Sequence, residues 1–505
     1  MTVTATAVQS ASASASATIL ISNSILADGI YVFILNGANH VAGAFQVTNG
    51  AITSGEQDAN IPNSLAAFSD LVNGTGSSIS TTANGNLEIT LATCNGTDCT
   101  STDANIGVNG VETLHGNMVS ASRALITEFD TSSTSSGSLD RQVSPAAAPT
   151  SGYAFSTFGF NSGFLFAGIG GIINVDGTAN HGTIPISGTG SVFDINNGFT
   201  IAQNQSFDPS SVTTPDTFGR VTFTLNPSAA SGISQITLVG YIVDAGHIHI
   251  VEMTDAFAGL TGGEALGQGN NTGRFNSASV SGSSFVFGAA GGNVISRFQM
   301  AGVLTANSDG TVSGTLNCND LSGVTCTQAP LAFTGGAYTV DATGRVTLTN
   351  LTSSGFALQL YLSGSGSGTV VSMDTTDAIS GLAHQQTPGA SFFGSYAMNA
   401  TGFDASQLEL DDVGAVSAGS GSLTGTNAID QNYGAPPTPT PGISASGTFT
   451  SFGSGVLTGT ITGLEVLPQN SSAPTFAYYV VDTSKVVAIE TDTNQFTLIS
   501  FELRQ

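Results

Sequence analysis

The stretch HIHIVEMTD, residues 247–255, carries the side chains in this sequence that are best suited to chemistry. In an extended strand His247 and His249 share one face, and two imidazoles on one face form half of a transition-metal site. Glu252 falls on the opposite face, so a third ligand must come from elsewhere in the chain. The alternative is that the histidines replace ordinary strand residues. We favour it, because related stretches of the chain lack them.

Those related stretches are RALITEFD, TVVSMDTTD and KVVAIETD, aligned on their acidic residue. The place of His247 is taken by Arg123, Thr369 and Lys485, and that of His249 by Leu125, Val371 and Val487. Two carboxylates recur in every copy, as Glu128 and Asp130, Glu252 and Asp255, Asp374 and Asp377, and Glu490 and Asp492. Oxygen ligands at a strand end suit Ca²⁺, which makes these residues calcium candidates. We favour a structural role, since aspartates at strand ends commonly accept hydrogen bonds from backbone amides two residues on.

Motifs of catalysis are absent from the sequence, which contains no GxSxG, no P-loop and no HExxH. The remaining histidines, His40, His115, His181 and His384, stand in unrelated contexts. The two carboxylates of a glycosidase can lie anywhere in a sequence, so the missing motifs do not exclude that class. Four copies of one small unit make it less expected, and we predict a protein that is not an enzyme and needs no cofactor.

The charge balance limits the partners. Lysine and arginine number 8 against 34 aspartates and glutamates, for a formal net charge of −26 at pH 7. A nucleic-acid backbone is bound by clustered cations, which this composition cannot supply, and anionic membrane surfaces are disfavoured by the same repulsion. The most apolar stretch, residues 164–175, is shorter than the roughly 20 residues that a membrane-spanning helix needs. We therefore predict neither nucleic-acid binding nor membrane insertion.

The four cysteines form two local pairs, Cys94 with Cys99 in CNGTDC and Cys318 with Cys326 in CNDLSGVTC. A tetrahedral zinc site would need all four together, yet the pairs are far apart in sequence and neither has the tight CxxC spacing. Two local disulfides are the favoured interpretation. They indicate an oxidising compartment outside the cytosol.

Composition favours strands as the elements that position these residues. Glycine is abundant, charged residues make up 8%, and the apolar 40% falls in short runs rich in Val, Ile, Phe and Thr. A chain of 505 residues also exceeds one ordinary core. We predict an all-β protein of several domains.

A repeat sets the domain number, because a polar segment ending in glutamine after an acidic strand end occurs four times. It ends at Gln142, Gln268, Gln386 and Gln505, at spacings of 126, 118 and 119 residues. Each copy also has an aromatic first strand and a later strand like GRVTFTL. Between them lies a hairpin turn, at Asn49-Gly50, Asp176-Gly177, Asp309-Gly310 or Ser420-Gly421. Every copy except the first then has a tyrosine strand, which starts at Tyr241, Tyr361 or Tyr478. Asn-Gly and Asp-Gly favour tight type I′ turns. Arg220 and Arg345 of the GRVT strands are candidates to pair with Glu252 and Asp374.

Strands joined in sequence by short turns predict four tandem antiparallel meanders, each a small β-barrel or a two-layer sandwich, and we prefer the barrel. The predicted modules span residues 23–142, 153–268, 284–386 and 392–505. Residues 1–22 stand before them.

The first segment, TVTATAVQSASASASATILIS, resembles the last two strands of a bacterial immunoglobulin-like domain. The repeat landmarks resemble the β-rich tandem repeats of large secreted or cell-surface proteins of soil bacteria. This resemblance implies an extracellular or cell-surface location, with an export signal and further domains of the same polypeptide upstream of Met1. It implies no activity for any residue.

Two functions remain in view from the sequence. The leading one is a non-catalytic extracellular spacer with an adhesion or matrix role, in which several weak faces along a string act by avidity on a surface glycan or a matrix protein. The alternative is a secreted carbohydrate-active or ligand-binding protein with its site in one module. A concave pocket with aromatic and convergent polar residues would favour the alternative.

Overall fold

The computed structural model describes residues 3–6, 14–17, 25–61, 66–95, 99, 101–102, 106–255, 257, 259–320, 330–351, 356–453, 455–464, 473–492 and 495–505. The regular secondary structure of these residues is β-strand, apart from three short 3₁₀ turns. No helix among them is long and apolar enough to cross a bilayer. The first two strands, β1 (Val3–Thr6) and β2 (Ser14–Ala17), pair antiparallel, with Val3 opposite Ala17. Their likeness to an immunoglobulin-like domain stays a prediction.

Four barrels follow in chain order. Barrel 1 consists of β3 (Gly29–Gly37), β4 (His40–Thr48), β5 (Ala51–Ile61), β6 (Ala66–Thr81), β7 (Leu87–Asn95), β9 (Val111–Ser120), β10 (Arg123–Glu128) and β11 (Ser135–Arg141), with β8 (Ser101–Thr102) beside β7. Barrel 2 consists of β12 (Ser151–Phe160), β13 (Phe166–Val175), β14 (Thr183–Asn197), β16 (Phe207–Thr213), β17 (Arg220–Pro227), β18 (Ile236–Asp244), β19 (His247–Glu252) and β20 (Leu260–Gly267), with β15 (Thr200–Gln205) beside β14.

The second half of the chain repeats this arrangement. Barrel 3 consists of β21 (Ser284–Asn293), β22 (Arg297–Ala306), β23 (Thr311–Asp320), β24 (Leu331–Val340), β25 (Arg345–Thr349), β26 (Leu358–Leu362), β27 (Ser367–Ser372) and β28 (Asp377–Gln385). Barrel 4 consists of β29 (Gly394–Asp404), β30 (Glu409–Gly419), β31 (Ser422–Tyr433), β32 (Thr440–Gly453), β33 (Val456–Thr462), β34 (Thr475–Val480), β35 (Lys485–Glu490) and β36 (Gln495–Leu503).

Each barrel is closed, because its first strand pairs with its last. Strands that are neighbours in the meander pair antiparallel around the rest of the barrel. Alternate side chains fill a separate apolar core in each, with aromatic residues such as Phe33, Phe155, Phe287 and Phe501 fully buried. The prediction of an all-β chain of four tandem meanders is confirmed, with barrels rather than sandwiches.

The hairpin turns follow the prediction in part. Asn49-Gly50 and Ser420-Gly421 are two-residue turns with positive φ at both positions, 53° and 77° in the first and 48° and 82° in the second. Asp309 keeps a negative φ, and its carboxylate accepts a hydrogen bond from the Thr311 amide at 3.0 Å. The prediction of a type I′ turn is therefore wrong at Asp309-Gly310, where the Gly310 amide donates to Asn307 O, and at Asp176-Gly177, because only the glycine of each pair has a positive φ, 84° and 137°.

The four barrels form a closed ring. A buried apolar cluster joins each barrel to the next, and each cluster combines the first strands of one barrel with the tyrosine strand or its neighbours in the following barrel. The clusters include Val32 with Tyr241 between barrels 1 and 2, Ile172 with Tyr361 between barrels 2 and 3, Val303 with Tyr479 between barrels 3 and 4, and Val413 with Leu125 between barrels 4 and 1. Head-to-tail contacts of one kind close into a ring when their rotation allows it.

A buried aspartate that binds an arginine and a tyrosine of the next barrel accompanies the apolar cluster, and we call this set of contacts the acidic latch. Asp194 of barrel 2 accepts hydrogen bonds from Arg345 Nε at 2.6 Å and Arg345 Nη2 at 2.7 Å, and from the Tyr361 hydroxyl at 2.6 Å. Asp58 of barrel 1 makes the same contacts with Arg220 and Tyr241. The expected pairing of these arginines with Asp374 and Glu252 is therefore wrong, because both arginines reach across to the preceding barrel.

The other two joints use substitutes at the same positions. Between barrels 3 and 4, Asn317 accepts a hydrogen bond from the Tyr479 hydroxyl at 2.5 Å, so Tyr479 rather than Tyr478 corresponds to Tyr241. Between barrels 4 and 1, Asp430 Oδ2 contacts His115 Nδ1 at 2.8 Å and accepts a hydrogen bond from Asn86 Nδ2 at 2.9 Å. The departure of the first copy from the tyrosine pattern therefore lies at the joint that closes the ring.

An asparagine two residues after the latch position makes a second set of contacts. Asn196 Nδ2 lies 3.3, 2.9 and 2.8 Å from the backbone oxygens of Ser372, Asp374 and Asp377 in barrel 3. Asn60 and Asn432 donate in the same way to the barrel that follows each of them, and for Asn432 that is barrel 1.

Replacing Asn196 with alanine is expected to lower the free energy of unfolding by about 1–3 kcal/mol, because it leaves buried carbonyls without a donor. Urea unfolding followed by circular dichroism measures this. The exposed Asn180→Ala variant is the control, and equal midpoints for the two variants would contradict the assigned role.

The repeat glutamines connect barrels as well. Gln142 Nε2 donates to Phe218 O and Ile242 O of barrel 2, and Gln268 Nε2 donates to Thr343 O and Leu362 O of barrel 3. In the fourth copy the corresponding position is Arg504, whose amide donates to Ser395 O as that of Gln142 does to Ile30 O. The alignment on Gln505 is therefore wrong by one residue. Arg504 Nε donates to Met118 O of barrel 1 at 3.2 Å, which again closes the ring.

Candidate axial site

A cavity of about 990 Å³ lies where the four barrels meet. Its wall is built from equivalent places in each barrel, namely the start of β10, β19, β27 or β35 and the end of β11, β20, β28 or β36. The charged and histidine side chains on it are Arg123, Asp140, Arg141, Asp244, His247, Glu264, His384, Lys485 and Glu502. Arg123, His247 and Lys485, which the sequence aligned with one another, are thus brought together around one cavity.

Arg123 joins two barrels on this wall. Its Nη1 lies 2.6 Å from Asp140 Oδ1 in its own barrel, and its Nε lies 2.7 Å from Glu502 Oε2 in barrel 4. Lys485 Nζ lies 3.2 Å from Glu502 Oε1. The single lysine of the chain and one of its few arginines are therefore committed to one carboxylate.

The histidine pair faces this cluster from barrel 2. His249 is fully buried, and its Nε2 lies 3.4 Å from Asp140 Oδ2, while its Nδ1 lies 3.9 Å from Glu264 Oε1. His247 Nε2 lies 3.2 Å from Glu264 Oε2. Asp140, which belongs to a different barrel, is the third group beside these histidines that could ligate a metal.

Barrel 3 contributes a weaker version of the same wall. Strand register places Thr369 opposite Tyr361 as it places His249 opposite Tyr241, so Thr369 rather than Val371 takes the place of His249. The place of His247 then belongs to Ser367, whose hydroxyl lies 3.2 Å from His384 Nδ1. The sequence alignment was wrong by two residues in this copy.

Glu264 and Glu502, two carboxylates of the cavity wall, are held in their ionised form. Burial raises the pKa of Glu502, but Arg123 and Lys485 outweigh burial and lower that pKa well below its usual range. For Glu264, burial is likewise outweighed by His247 and His249, and the pKa falls to about 2. Burial, followed by Lys485, lowers the pKa of His384 to about 3. Groups with such pKa values are poor proton donors or acceptors near neutral pH, so the wall is suited to binding rather than to acid–base catalysis.

A second, smaller cavity of about 120 Å³ lies among the hairpins that join the first two strands of each barrel. Phe160, Phe166 and Phe403 line it together with His40 and the Arg297–Glu409 ion pair, which joins barrels 3 and 4. Burial lowers the pKa of His40 to about 4, so His40 is neutral. This cavity can hold a few atoms of an apolar group.

The calcium candidates lie apart from both cavities. Asp130 Oδ1 accepts from the Ser132 amide at 2.7 Å, and Asp374 Oδ1 accepts from the Thr376 amide at 2.9 Å, which are the Asx turns that the sequence favoured. Glu252 is fully buried and accepts from the Thr261 hydroxyl at 2.7 Å. By strand register Ser372 corresponds to Glu252, so Asp374 is the counterpart of Asp130 and not of Glu128 or Glu252.

The remaining candidates have similar surroundings. Glu128 Oε2 accepts from the Ser135 hydroxyl at 3.0 Å, and burial, followed by Asp130, raises the pKa of Glu128 to about 7. Asp255 and Asp492 accept from the amides of Thr237 at 2.6 Å and Thr475 at 2.7 Å. Burial raises the pKa of Glu252 well above its usual value, and Glu490 is fully buried.

The raised pKa of Asp377, another buried carboxylate, makes the stability of the protein depend on pH. Burial, followed by Asp374, raises the pKa of Asp377 to about 8, whereas an aspartate in the unfolded chain titrates near 4. A raised folded-state pKa contributes stability that is present below pH 4 and is lost as the pH rises towards 8. Between pH 5.5 and pH 7 the wild type is expected to lose about 2 kcal/mol of unfolding free energy relative to Asp377→Asn.

Denaturant titrations at the two pH values measure this difference. The exposed Asp208→Asn variant is the control and should follow the wild type at both. A constant gap between Asp377→Asn and the wild type would show that Asp377 is already ionised at pH 5.5.

Cysteines 94 and 99 form a disulfide with a Cα–Cα distance of 4.9 Å, which confirms the first predicted bridge. Cys318 is also disulfide-bonded. Its predicted partner, Cys326, lies outside the described residues.

Comparison with known proteins identifies no family for this chain. No family model matches it, and no curated protein matches. Solved structures with partial likeness include transferrin-binding protein B from Haemophilus parasuis, at 10% identity and a TM-score of 0.21 over 85% of this chain and 94% of that one. The same protein from Neisseria meningitidis gives 10% identity and a TM-score of 0.19 over 77% and 85%. A DUF3598 protein from Nostoc punctiforme gives 10% and 0.14 over 70% and 96%. TM-scores of this size support no inference about what this chain binds.

Proposed function

We propose that this chain is a non-catalytic binding protein of the cell exterior, and that its site is the axial cavity between the four barrels. The proposed ligand is a small, hydroxyl-rich solute such as one or two sugar units. The observation that carries the proposal is the convergence of all four barrels on one polar cavity, although the chain has few charged residues to place there. Cavities of several hundred cubic ångströms with a few convergent polar groups are typical binding sites.

The lining chemistry supports a hydroxyl-rich ligand. Serines 120, 122, 365, 367 and 484 line the cavity between the ion pairs. Three cations, Arg123, Arg141 and Lys485, stand against four carboxylates, Asp140, Asp244, Glu264 and Glu502, so the wall is nearly neutral while offering both donors and acceptors. Such a wall suits a neutral or weakly charged polar solute better than a strong anion.

The closed ring favours this proposal over the spacer. An extended string presents repeated faces that act by avidity. Here the faces that repeat are buried against the next barrel, and the clusters that contain Val32, Ile172, Val303 and Val413 hold them there. The disulfide between Cys94 and Cys99 supports an oxidising location, in agreement with an exported protein.

The test is calorimetric titration of the full chain with a panel of neutral disaccharides and uronic acids. Gly246 is exposed at the cavity mouth, and Gly246→Trp should block entry and remove the binding heat. Gly335→Trp is the matched control, because an added side chain at Gly335 meets open space on barrel 3. Saturable binding that survives in the control alone supports the proposal.

Two results would contradict it. The panel could give no heat with the wild type, or it could bind equally to both tryptophan variants, which would place any site elsewhere. Release of reducing sugar in the same samples would show an enzyme instead of a binding protein.

A further inference from the structure

We propose that His247, His249 and Asp140 form a binding site for a zinc-class divalent ion in the wall of the axial cavity, across the joint between barrels 1 and 2. Each residue offers one ligand atom, and the three atoms lie within 4.8 Å of one another. The site goes beyond the proposed solute-binding function and does not depend on it. It joins a strand of barrel 1 to the histidine strand of barrel 2.

One of these distances fits an ion that is shared between His249 and Asp140. Zn²⁺ binds imidazole nitrogen and carboxylate oxygen at roughly 2.0–2.2 Å in tetrahedral geometry, so two of its ligand atoms lie about 3.4 Å apart. His249 Nε2 and Asp140 Oδ2 lie 3.4 Å apart. This separation is long for a hydrogen bond and equals the edge of such a tetrahedron.

A second observation points to the same place. His249 is fully buried, and neither of its ring nitrogens has a hydrogen-bond partner in the part of the chain that the structure describes. A buried polar side chain without partners is unfavourable and is rarely found in native proteins. Coordination of an ion through Nε2 would satisfy one of these nitrogens and would explain why a histidine stands where the other copies have Leu125, Thr369 and Val487.

Glu264 completes the surroundings. Its Oε2 lies 3.2 Å from His247 Nε2, so Glu264 can accept the ring proton of His247 and leave the other nitrogen free for the ion. Ligating histidines usually have such a carboxylate behind them, which fixes the tautomer and raises ligand basicity. Glu264 therefore acts as the group that orients His247.

The neighbouring cations do not prevent binding. Arg123 Nη1 lies 2.6 Å from Asp140 Oδ1 and 2.8 Å from Oδ2, and Ser138 Oγ donates to Oδ2 at 2.9 Å, so an ion would share Oδ2 with these donors while the contact of Arg123 with Oδ1 is kept. Counting the pairs of this cluster, Asp140, Glu264 and Glu502 carry three negative charges against the two positive charges of Arg123 and Lys485. Apart from the two histidines, the cluster thus has a net charge of −1 before any ion enters, with His384 neutral nearby.

The donor set also selects the ion. Two imidazoles and one carboxylate suit Zn²⁺, Co²⁺, Ni²⁺ or Cu²⁺, whereas Ca²⁺ and Mg²⁺ prefer oxygen ligands alone. Because His247 lines the cavity, a fourth coordination position would face the cavity. A bound ion would strengthen the joint between barrels 1 and 2.

The test uses the full chain after treatment with a chelator. Titration calorimetry with Zn²⁺, and visible absorption with Co²⁺ as the spectroscopic probe, should show one ion per chain with tetrahedral character. His247→Ala should weaken Zn²⁺ binding at least 10-fold, and His249→Gln and Asp140→Asn should weaken it similarly. His181→Asn is the control, because His181 is an exposed histidine of the same barrel and should leave binding unchanged.

The outcomes are distinguishable. His247 is half-buried, so its variant should keep the wild-type circular dichroism even if His249→Gln fails to fold. Zn²⁺ binding of equal strength in the wild type and in folded His247→Ala would overturn the site, as would the absence of binding to the wild type. Gly246→Trp leaves all three ligands in place, so loss of sugar binding in that variant with Zn²⁺ binding retained would separate the two proposals.

Discussion

Replacing Asp194 with alanine is expected to destabilise the protein by about 3–5 kcal/mol. The Asp194 side chain is fully buried and pairs with Arg345 and Tyr361 of the next barrel. Removing it leaves the Arg345 guanidinium, itself mostly buried, without a counter-charge. An isolated buried charge is strongly unfavourable. Removing one partner of a buried ion pair therefore lowers stability more than replacing both partners with uncharged residues.

The natural joint between barrels 3 and 4 suggests a rescue. There Asn317 stands for the aspartate and, by strand register, Val456 for the arginine, and the tyrosine hydroxyl donates to the asparagine. The double variant Asp194→Asn, Arg345→Val copies that arrangement into the joint between barrels 2 and 3. It should recover more than half of the stability lost in Asp194→Ala, because no unpaired charge remains.

Guanidinium unfolding at pH 7 measures all three proteins, with the exposed Asp208→Ala variant as control. A loss below about 1 kcal/mol in Asp194→Ala would show that the pair behaves as an exposed ion pair. A double variant as unstable as the single one would show that the guanidinium is not the cause.

The sequence was sufficient for the barrels. Period-two strands, turn residues such as Asn49-Gly50 and four copies of one pattern specify local structure, and local structure decides a meander of neighbouring strands. The same reasoning assigned Asp130 and Asp374 to Asx turns, because that contact lies within two residues.

The ring was out of reach because its hydrogen bonds join residues that lie from 75 to 386 positions apart. A signal was nevertheless present: the third strand of each barrel ends in a short motif, Asp58-x-Asn60, Asp194-x-Asn196, Asn317-x-Asn319 and Asp430-x-Asn432. Polar residues that recur at one strand position in every copy indicate a contact that the copies share, because buried polar groups need hydrogen-bond partners. That reasoning could have indicated an interface in every copy, though not which surface it meets.

The axial site could not be predicted from the sequence for a related reason. A search within one module finds His247 and His249 without a third ligand, because Asp140 belongs to the preceding barrel. Residues of one site that come from different modules become visible only when the modules are docked. The available clue was the small number of cations. In a chain with only 8 lysines and arginines, each of them is a candidate for a specific contact.

Arg123 provides the second large effect, because it joins barrels 1 and 4 at the cavity. Arg123→Met should destabilise the protein by about 3–5 kcal/mol at pH 7. The arginine contacts Asp140 and Glu502, and both carboxylates are mostly buried. Methionine keeps the length of the side chain, and so the loss reports on charge more than on packing.

The pKa values of the two carboxylates determine how the destabilisation by Arg123→Met changes with pH. For both carboxylates, burial is outweighed by Arg123, and their pKa values lie well below the usual range in the folded protein. Depressed values contribute stability that is present above about pH 4 and is lost on acidification. In Arg123→Met the two pKa values should rise, since burial then acts with fewer counter-charges, and the stability gap to the wild type should narrow from pH 7 to pH 4.

Urea titrations at pH 7, 5.5 and 4 measure the gap, and the exposed Arg274→Met is the matched control. A gap that stays constant with pH would mean that Arg123 acts through packing alone. A gap that widens on acidification would reverse the assigned electrostatics, because protonated carboxylates have no need of the arginine. The expected narrowing would instead identify the Arg123 cluster as the charge-dependent closure of the ring, in the same wall that holds the proposed ion.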